Sequence, residues 1–437
     1  MRVRVQIKTR GRRQHSGGTR WIGVRNREVI SDGILRTCSR SYTGDFIRET
    51  MRGTELKGED GSLGLNGNGT ALVLSGGGAR GAYQVGVLYG LLERGLVEPG
   101  PSPFPILVGT SAGSIHATAI AAWADQFDHA ISELFDVWSV LQARHVFRTD
   151  FPSLARTAFR WARDLGFGGI LGGVTPKSLL DTSPLPRLFS KIPFHRISRS
   201  IAERHLTALA IPATEYFSNE SVIFLEGRDD LEGWKKKRAR VEKTHIGINH
   251  IMASSAIPMI FPTVRLNGTH FGDGCLRNTT PLGPAIRLGA DRILAIGVHE
   301  PAGVAESRTP MVADVASTIL DAIMMDAMEK DVAHCKRINK NIRESSPDFR
   351  GVDVMWLAPS QPIAPLAKKL MNRIPPGLRY LLHGLGGDRA SAELASYLLF
   401  HPDFCITLMD LGRADVAARE QEIGSFLKEK SKSGRGL

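Results

Sequence analysis

The sequence predicts an α/β fold, and three observations carry that expectation. Ala71–Ser75 is a short apolar strand that runs through a glycine loop into a helix from Ala82 to about Arg94. Pro105–Val108 is a second such strand, and it turns at once into an alanine-rich helix over Ser114–Ala122. Asp291–Val298 is a third apolar run of strand length. Strand–loop–helix units in succession belong to the α/β class.

Bulk properties narrow the function classes. The 437 residues could form about two to three average domains, or one large α/β domain with extensions. With 42% hydrophobic and 23% charged residues, the composition is that of a globular protein with ample core. No run of about 18 apolar residues occurs, so no transmembrane helix is expected. The basic N-terminus lacks the apolar stretch and small-residue cleavage site of a secretory signal. Cys38, Cys275, Cys335 and Cys405 are far apart and form no C-x-x-C, so neither a zinc site nor a disulfide framework is expected. A cytoplasmic location fits this cysteine usage, with peripheral contact to the inner face of the membrane. The net charge of +12 suits an anionic membrane surface or acidic lipid head groups. Nucleic acid is the lesser reading, because no helix-turn-helix, RNP or zinc-finger pattern accompanies the charge.

Taken in order, residues 1–70 stand outside the core. The first 40 carry 11 Lys/Arg against two acids, Glu28 and Asp32, and Gly61–Thr70 has the composition of a flexible linker. A disordered leader is the expected reading of these residues, and a basic arm that touches membrane is the lesser one. Order begins at Ala71. In the first helix, Val87, Leu88, Leu91 and Leu92 form a core face, and Gly86 and Gly90 permit close packing on a neighbour. The loop Gly76–Gly81 formally matches the dinucleotide fingerprint G-x-G-x-x-G. The acid that should end a second strand about 20 residues on is missing; Glu98 falls in a Pro/Gly loop instead. A P-loop is excluded because no Gly-Lys-Ser/Thr follows.

The second strand leads instead into Gly109-Thr110-Ser111-Ala112-Gly113, a G-x-S-x-G corner between strand and helix. Chance alone places that pattern in about a third of chains of this composition, so context must carry it. At such a corner the serine is pushed out of the sheet, and the next helix aims its N-terminal N–H groups back at it. One βα unit with clustered backbone donors and one with an exposed hydroxyl make sense together as oxyanion hole and nucleophile.

Trp138–Gly173 mixes aromatics with arginines. Arg156, Arg160 and Arg163 share one side of an expected helix, either a solvated face or a lid meeting lipid. Thr175 and Pro176 signal the start of a further helix. His205–Ala213 and Ser221–Glu226 are expected strands, and Lys235–Arg238 a solvated loop. A helix over His250–Ala256 precedes a hairpin with Asn267-Gly268 at its turn, which leaves Asp273 at a strand end. Beyond them the pattern predicts a long helix over Met311–Ile338 and a strand over Val352–Leu357. Leu366–Leu385 is basic and apolar, a second candidate for interfacial contact, and helices are expected over Ala390–Leu399 and Cys405–Glu422.

An activated serine needs a base, most often a histidine backed by Asp. His116 lies on the helix behind Ser111 and reads as a packed ring. His270 and His299 are the triad candidates. At this point the chain resembles the patatin-like phospholipases. Ser75-Gly76-Gly77-Gly78-Ala79-Arg80-Gly81, Gly109–Gly113 and Asp273-Gly274 occur in that family's order, each in strand or turn context. Ala253–Pro258 and Ser396–Phe400 also look like stretches of its bacterial members. The resemblance covers about residues 71–290 well, 291–437 more loosely, and 1–70 not at all.

The resemblance implies a three-layer α/β/α sandwich with a mainly parallel sheet, an acyl hydrolase domain over 71–290 and a mostly helical extension over 291–437. It implies a Ser–Asp dyad of Ser111 as nucleophile and Asp273 as base. Backbone N–H groups of Gly76, Gly77 and Gly78 would form the oxyanion hole, with Arg80 and Gly81 in the same loop. Gly109, Thr110, Ala112 and Gly113 would build the nucleophile elbow, and Gly274 and Cys275 the turn after the base. One departure is Cys275, where the family commonly has Gly or Ala; a redox role for its thiol is the lesser reading. Neither metal nor cofactor is expected, since the nucleophile is a side chain. The implied substrate is a phospholipid or other acyl-ester lipid. The alternatives are a catalytically idle lipid- or membrane-binding module of the same fold, a Ser-His-Asp esterase, and a nucleotide-binding protein.

Overall fold

Alternation of side chains along the central strands decides the layering, because successive residues of a strand face opposite sides of the sheet. The computed structural model of the protein describes residues 69–149, 178–236, 238–278, 281–299, parts of 315–345, 351–385 and 388–428. The expected leader as far as residue 68, the arginine-rich segment over residues 150–173 and the helix start over residues 175–177 lie outside the described residues.

The elements run β1 (Thr70–Leu74), α1 (Ala82–Glu93), β2 (Ile106–Gly109), α2 (Ala112–Ala122), α3 (Phe127–Ser139) and α4 (His195–Ala202). Then come β3 (Ala208–Glu215), β4 (Glu220–Gly227), β5 (Lys235–Lys236), β6 (Ala239–Lys243), α5 (Ile248–Ser254), β7 (Val264–Leu266) and β8 (Thr269–Asp273). The remainder holds α6 (Gly283–Arg287), β9 (Arg292–Ile296), α7 (Asp326–Ser345), β10 (Asp353–Leu357), α8 (Ile363–Lys369), α9 (Pro376–Leu385), α10 (Asp388–Leu398), α11 (Pro402–Ala418) and α12 (Glu420–Lys428).

The strands form one sheet in the order β10-β9-β1-β2-β3-β4-β6-β5, with β8 added on β3 and β7 on β8. From β10 to β3 every pair is parallel. Antiparallel pairing occurs where short turns join neighbours, at β3–β4, β5–β6 and β7–β8, and where β8 adds onto β3. The sheet is mixed and mostly parallel in its middle, and it continues past residue 290 through β9 and β10.

Both faces are covered. Leu72, Leu74, Leu107, Leu209, Leu294 and Ile296 point into one apolar cluster with α1, α2, α3 and α11. Ala71, Val73, Ile106, Val108, Ile293 and Ala295 point into a second, closed by α6 and by Met328, Val332 and Cys335 of α7. Double coverage is why β1 and β2 read as unbroken apolar runs instead of alternating ones. The close neighbour expected for α1 is α11: Gly86 lies directly against the Met409 backbone.

Three expectations change. Lys235–Lys236 is a short strand paired with β6, not a free loop. Ser178–Asp181 is not helical; Leu179 and Leu180 donate backbone hydrogen bonds to Met259 and Ile260, which a helix over those residues would forbid. The expected Cys405–Glu422 helix is two, α11 and α12, broken at Arg419. The Asn267-Gly268 hairpin is as expected, with both residues at positive φ (48° and 85°), which suits the twist of the flanking strands.

Candidate active site

Register alone brings the three motifs to one end of the sheet. Leu74 pairs with Gly109 across β1 and β2, and Val108 pairs with Ala210 across β2 and β3. Three residues further along β3, Ala213 pairs with Asp273 of β8. Three residues beyond Val108 stands Ser111. The glycine loop after β1, the serine after β2 and the aspartate beside β3 therefore sit at the carboxyl ends of adjacent strands, where α/β sheets place their ligand crevices.

Ser111 is buried and strained. Its backbone has φ 52° and ψ −123°, a conformation that costs a non-glycine residue on the order of 1–3 kcal/mol. Several groups hold it there. Its N–H donates to Ser254 Oγ (3.0 Å), and its carbonyl accepts from Ser114 Oγ (2.6 Å) and Ser255 Oγ (3.2 Å). Ser254 is fixed in turn by donating to the Pro212 carbonyl at 2.7 Å. Gly113 lets the elbow approach the first motif, since a side chain there would stand 2.4 Å from the Leu74 carbonyl oxygen.

Asp273 is fully buried. Its Oδ1 accepts from the Cys275 N–H at 2.9 Å, and its own carbonyl accepts from Thr214 Oγ1 at 2.8 Å. Oδ2 has no formed hydrogen bond. Burial pushes the carboxyl from 3.8 up to about 6, although the facing Ser111 hydroxyl and the Cys275 donors draw it back down.

The glycine loop takes up its shape through Gly77 and Gly78, at φ 153° and 54°. A Cβ on Gly78 would also meet the Tyr397 carbonyl oxygen at 2.4 Å, so only glycine fits. Among the described residues, neither Gly77 nor Gly78 donates a backbone hydrogen bond. Gly76 differs, because its N–H faces the Cys275 sulfur. Gly78, Ser111 and Ala112 border one cavity, whereas Ser75, Gly76, Thr110 and Cys275 border a separate small cleft.

Residues 72–286 match the sequence profile of the family described as Patatin-like phospholipase. This part of the chain belongs to the patatin-like phospholipase family. The chain is 26% identical over 274 residues to a patatin-like phospholipase domain-containing protein 7 from Rattus norvegicus, and equally to the Mus musculus protein of that name. Each match takes in 62% of this chain but only 16% of the relative's length. Among solved structures, VipD from Legionella pneumophila aligns over 78% of this chain and 66% of its own, at 14% identity and a TM-score of 0.30.

Within this patatin-like domain an apolar cavity opens beside Ser111, with about 980 Å³ of empty space including its mouth. Ile115, Ala119 and Trp123 form one wall, four residues apart along α2; Leu134 and Trp138 of α3, Phe189 and Phe400 complete it. From Ser111 to Trp123 that stripe rises about 18 Å along the helix, the scale of a fatty acyl chain. The spacing was available in the sequence, but apolar residues at helical spacing signal ordinary core unless a facing wall is missing.

No hydrogen bond joins His116 or His270 to Ser111 or Asp273 among the described residues. His116 is buried at the core, its Nδ1 2.9 Å from Gln84 Oε1, and burial pushes its pKa down to about 3. Gln84 Nε2 in turn donates to the Ser75 and Ile296 carbonyls, which fixes the entry to the glycine loop. His270 is half-buried and bonded to Thr263 Oγ1 at 3.1 Å. It is three residues before Asp273 on β8, hence on the opposite face of the strand. His299 lies just past β9 and has a buried Nδ1 without a hydrogen-bond partner.

Burial and the nearby Asp273 charge push the Cys275 thiol well above its usual value. Little thiolate forms, which counts against a redox role. Among the described residues no His, Cys, Asp or Glu cluster could hold a metal, and no helix is long and apolar enough to cross a membrane.

Sequence reasoning missed Ser254, Ser255, Gln84 and Glu393. The first two lie in a stretch already noticed for its resemblance; nothing local marked the others. Arg80 is completely buried: Nε donates to Ser396 Oγ at 2.8 Å, Nη2 pairs with Glu393, and the guanidinium lies 4.3 Å above the Tyr397 ring.

Proposed function

We propose that the protein hydrolyses fatty acyl esters of phospholipids through an acyl-serine intermediate, with Ser111 as nucleophile and Asp273 as base. Family membership supports lipid-ester hydrolysis in general. The observation that carries the finer reading is the Ser111 hydroxyl, which borders an apolar cavity and faces a fully buried carboxyl.

Ser111 passes its proton to Asp273 as Oγ attacks the ester carbonyl carbon. The resulting oxyanion is received by the N–H groups of Gly77 and Gly78. Collapse breaks the ester C–O bond, and the lysophospholipid oxygen leaves with the proton held by Asp273. A water molecule, deprotonated by the same carboxylate, then releases the fatty acid and restores Ser111. An aspartate is a feeble base in water, so the raised affinity for a proton that burial confers is what suits it to this work.

The acyl tail would occupy the cavity along α2. Exposed Val140 and Met259 neighbour the cavity-lining Leu141 and Ile257–Phe261 loop, and Lys191 stands at the wall. Together with the basic net charge, these features suit an anionic lipid surface and peripheral attachment from the cytoplasm. No cofactor enters this chemistry.

A fluorophosphonate probe tests the reading. Labelling should map to Ser111 by mass spectrometry of the digested protein and should persist in His270→Ala. A label mapped to any other residue, or lost in His270→Ala, overturns the dyad.

The pH profile supplies a second check. Asp273 must be ionised to accept the proton, so kcat/KM on a short-chain ester should fall about tenfold per unit below pH 6 and level off above it. A flat profile between pH 4.5 and 7 would exclude Asp273 as the base.

A further inference from the structure

The glycine loop cannot hold itself in shape. Its residues Gly76, Gly77 and Gly78 bring no side chains, and the turn over Gly78–Gly81 has no side-chain cap. Rigidity must come from outside, and the structure shows where. Arg80 projects from the loop into complete burial, where Glu393, Ser396 and Tyr397 of α10 hold its guanidinium. These three stand three and four residues apart, which puts them on one helix face. The same face supports the loop backbone, since Tyr397 contributes the carbonyl against which Gly78 rests. Ser396 is itself oriented by donating to the Glu393 carbonyl at 2.5 Å. The grip comes from a segment more than 100 residues beyond the family match, which ends at residue 286.

We propose that Glu393 is a positioning residue of the active site: through its ion pair with the buried Arg80 it sets the glycine loop so that the Gly77 and Gly78 N–H groups meet the oxyanion. The proposal rests on the acyl hydrolase reading above. A buried guanidinium deprived of its carboxylate must find water or another acceptor, and the loop is what moves. Oxyanion donors act on the transition state far more than on the bound ester, so displacement should lower kcat and leave binding alone.

The test uses the full chain and variants Glu393→Gln, Glu393→Asp, Arg80→Met and Arg80→Met with Glu393→Gln, each normalised to folded protein by circular dichroism. Glu393→Gln should lose about 10- to 100-fold in kcat with KM unchanged. Binding to vesicles of a diether phospholipid, which has no ester carbonyl, should equal the wild type. Glu393→Asp should recover part of the loss, and the double variant should be no slower than Arg80→Met alone.

Wild-type kcat in Glu393→Gln, or a loss shared equally by kcat and diether binding, overturns the proposal. If Glu393→Gln does not accumulate folded, Glu393→Asp, which keeps the charge but shortens its reach to Arg80, must still show a kcat-selective loss; a normal kcat there overturns it. A wild-type protein that neither labels at Ser111 nor hydrolyses ester defeats the hydrolase reading instead, so the two failures are distinct.

Discussion

Replacing Ser111 by alanine should lower phospholipid hydrolysis by at least about 10³-fold while the protein stays folded. The contacts that hold position 111 in its strained conformation are made by its N–H and carbonyl, to Ser254, Ser114 and Ser255, and alanine keeps them all. The hydroxyl proposed to form the acyl ester disappears. The cavity is unaffected, so vesicle binding should survive. The measurement is fatty acid release from phosphatidylcholine vesicles beside a circular dichroism spectrum. Residual turnover within tenfold of wild type would place the nucleophile elsewhere.

Asp273→Asn should cost about as much, on the order of 10³- to 10⁴-fold, with an opposite effect on stability. Asparagine keeps the size of the side chain and can still accept the Cys275 N–H, but it cannot take the serine proton. The sign of the stability effect comes from the raised pKa. The folded state holds the carboxyl proton more tightly than the unfolded chain does. Its advantage is therefore full below the unfolded value of 3.8 and is lost as pH rises through about 6. Above that, the ionised buried carboxylate costs on the order of 3 kcal/mol, which a neutral amide avoids. At pH 8 the variant should melt no lower than wild type, and higher if the amide finds partners, while turnover vanishes. A lower Tm with substantial activity retained would remove Asp273 from the centre of the mechanism. The trade of stability for a usable base is common at active sites.

Much of this was legible in the residues themselves. β1, the glycine loop and α1 announce themselves locally, because an apolar run, three glycines and a helical period depend on neighbours only a few positions away. The same holds for the G-x-S-x-G corner and for the Asn267-Gly268 turn, which fixes where Asp273 ends its strand. The order of the three motifs then pointed to the family.

Other features had no local signature. Gln84 and Glu393 look like any polar residues on a helix, and only packing shows one clamping Ser75 and the other paired with the buried Arg80. Ile115, Ala119 and Trp123 look like core until α3 and Phe400 leave a space before them. The histidines were the clearest ambiguity. Sequence read His116 as a packed ring and left His270 and His299 open; burial bears out the first, and strand alternation puts His270 on the face of β8 opposite Asp273. Gly76 shows the same limit in miniature, because its N–H is turned toward Cys275, a residue nearly two hundred positions away.

Sequence by itself determined the local elements, the family and which residue types could react. Tertiary structure alone decided which of those residues meet, how deeply Asp273 is buried and what holds the glycine loop. The reason is physical: backbone conformation answers to near neighbours, whereas proton affinity, a cavity and an ion pair with a buried arginine are properties of surroundings assembled from distant parts of the chain.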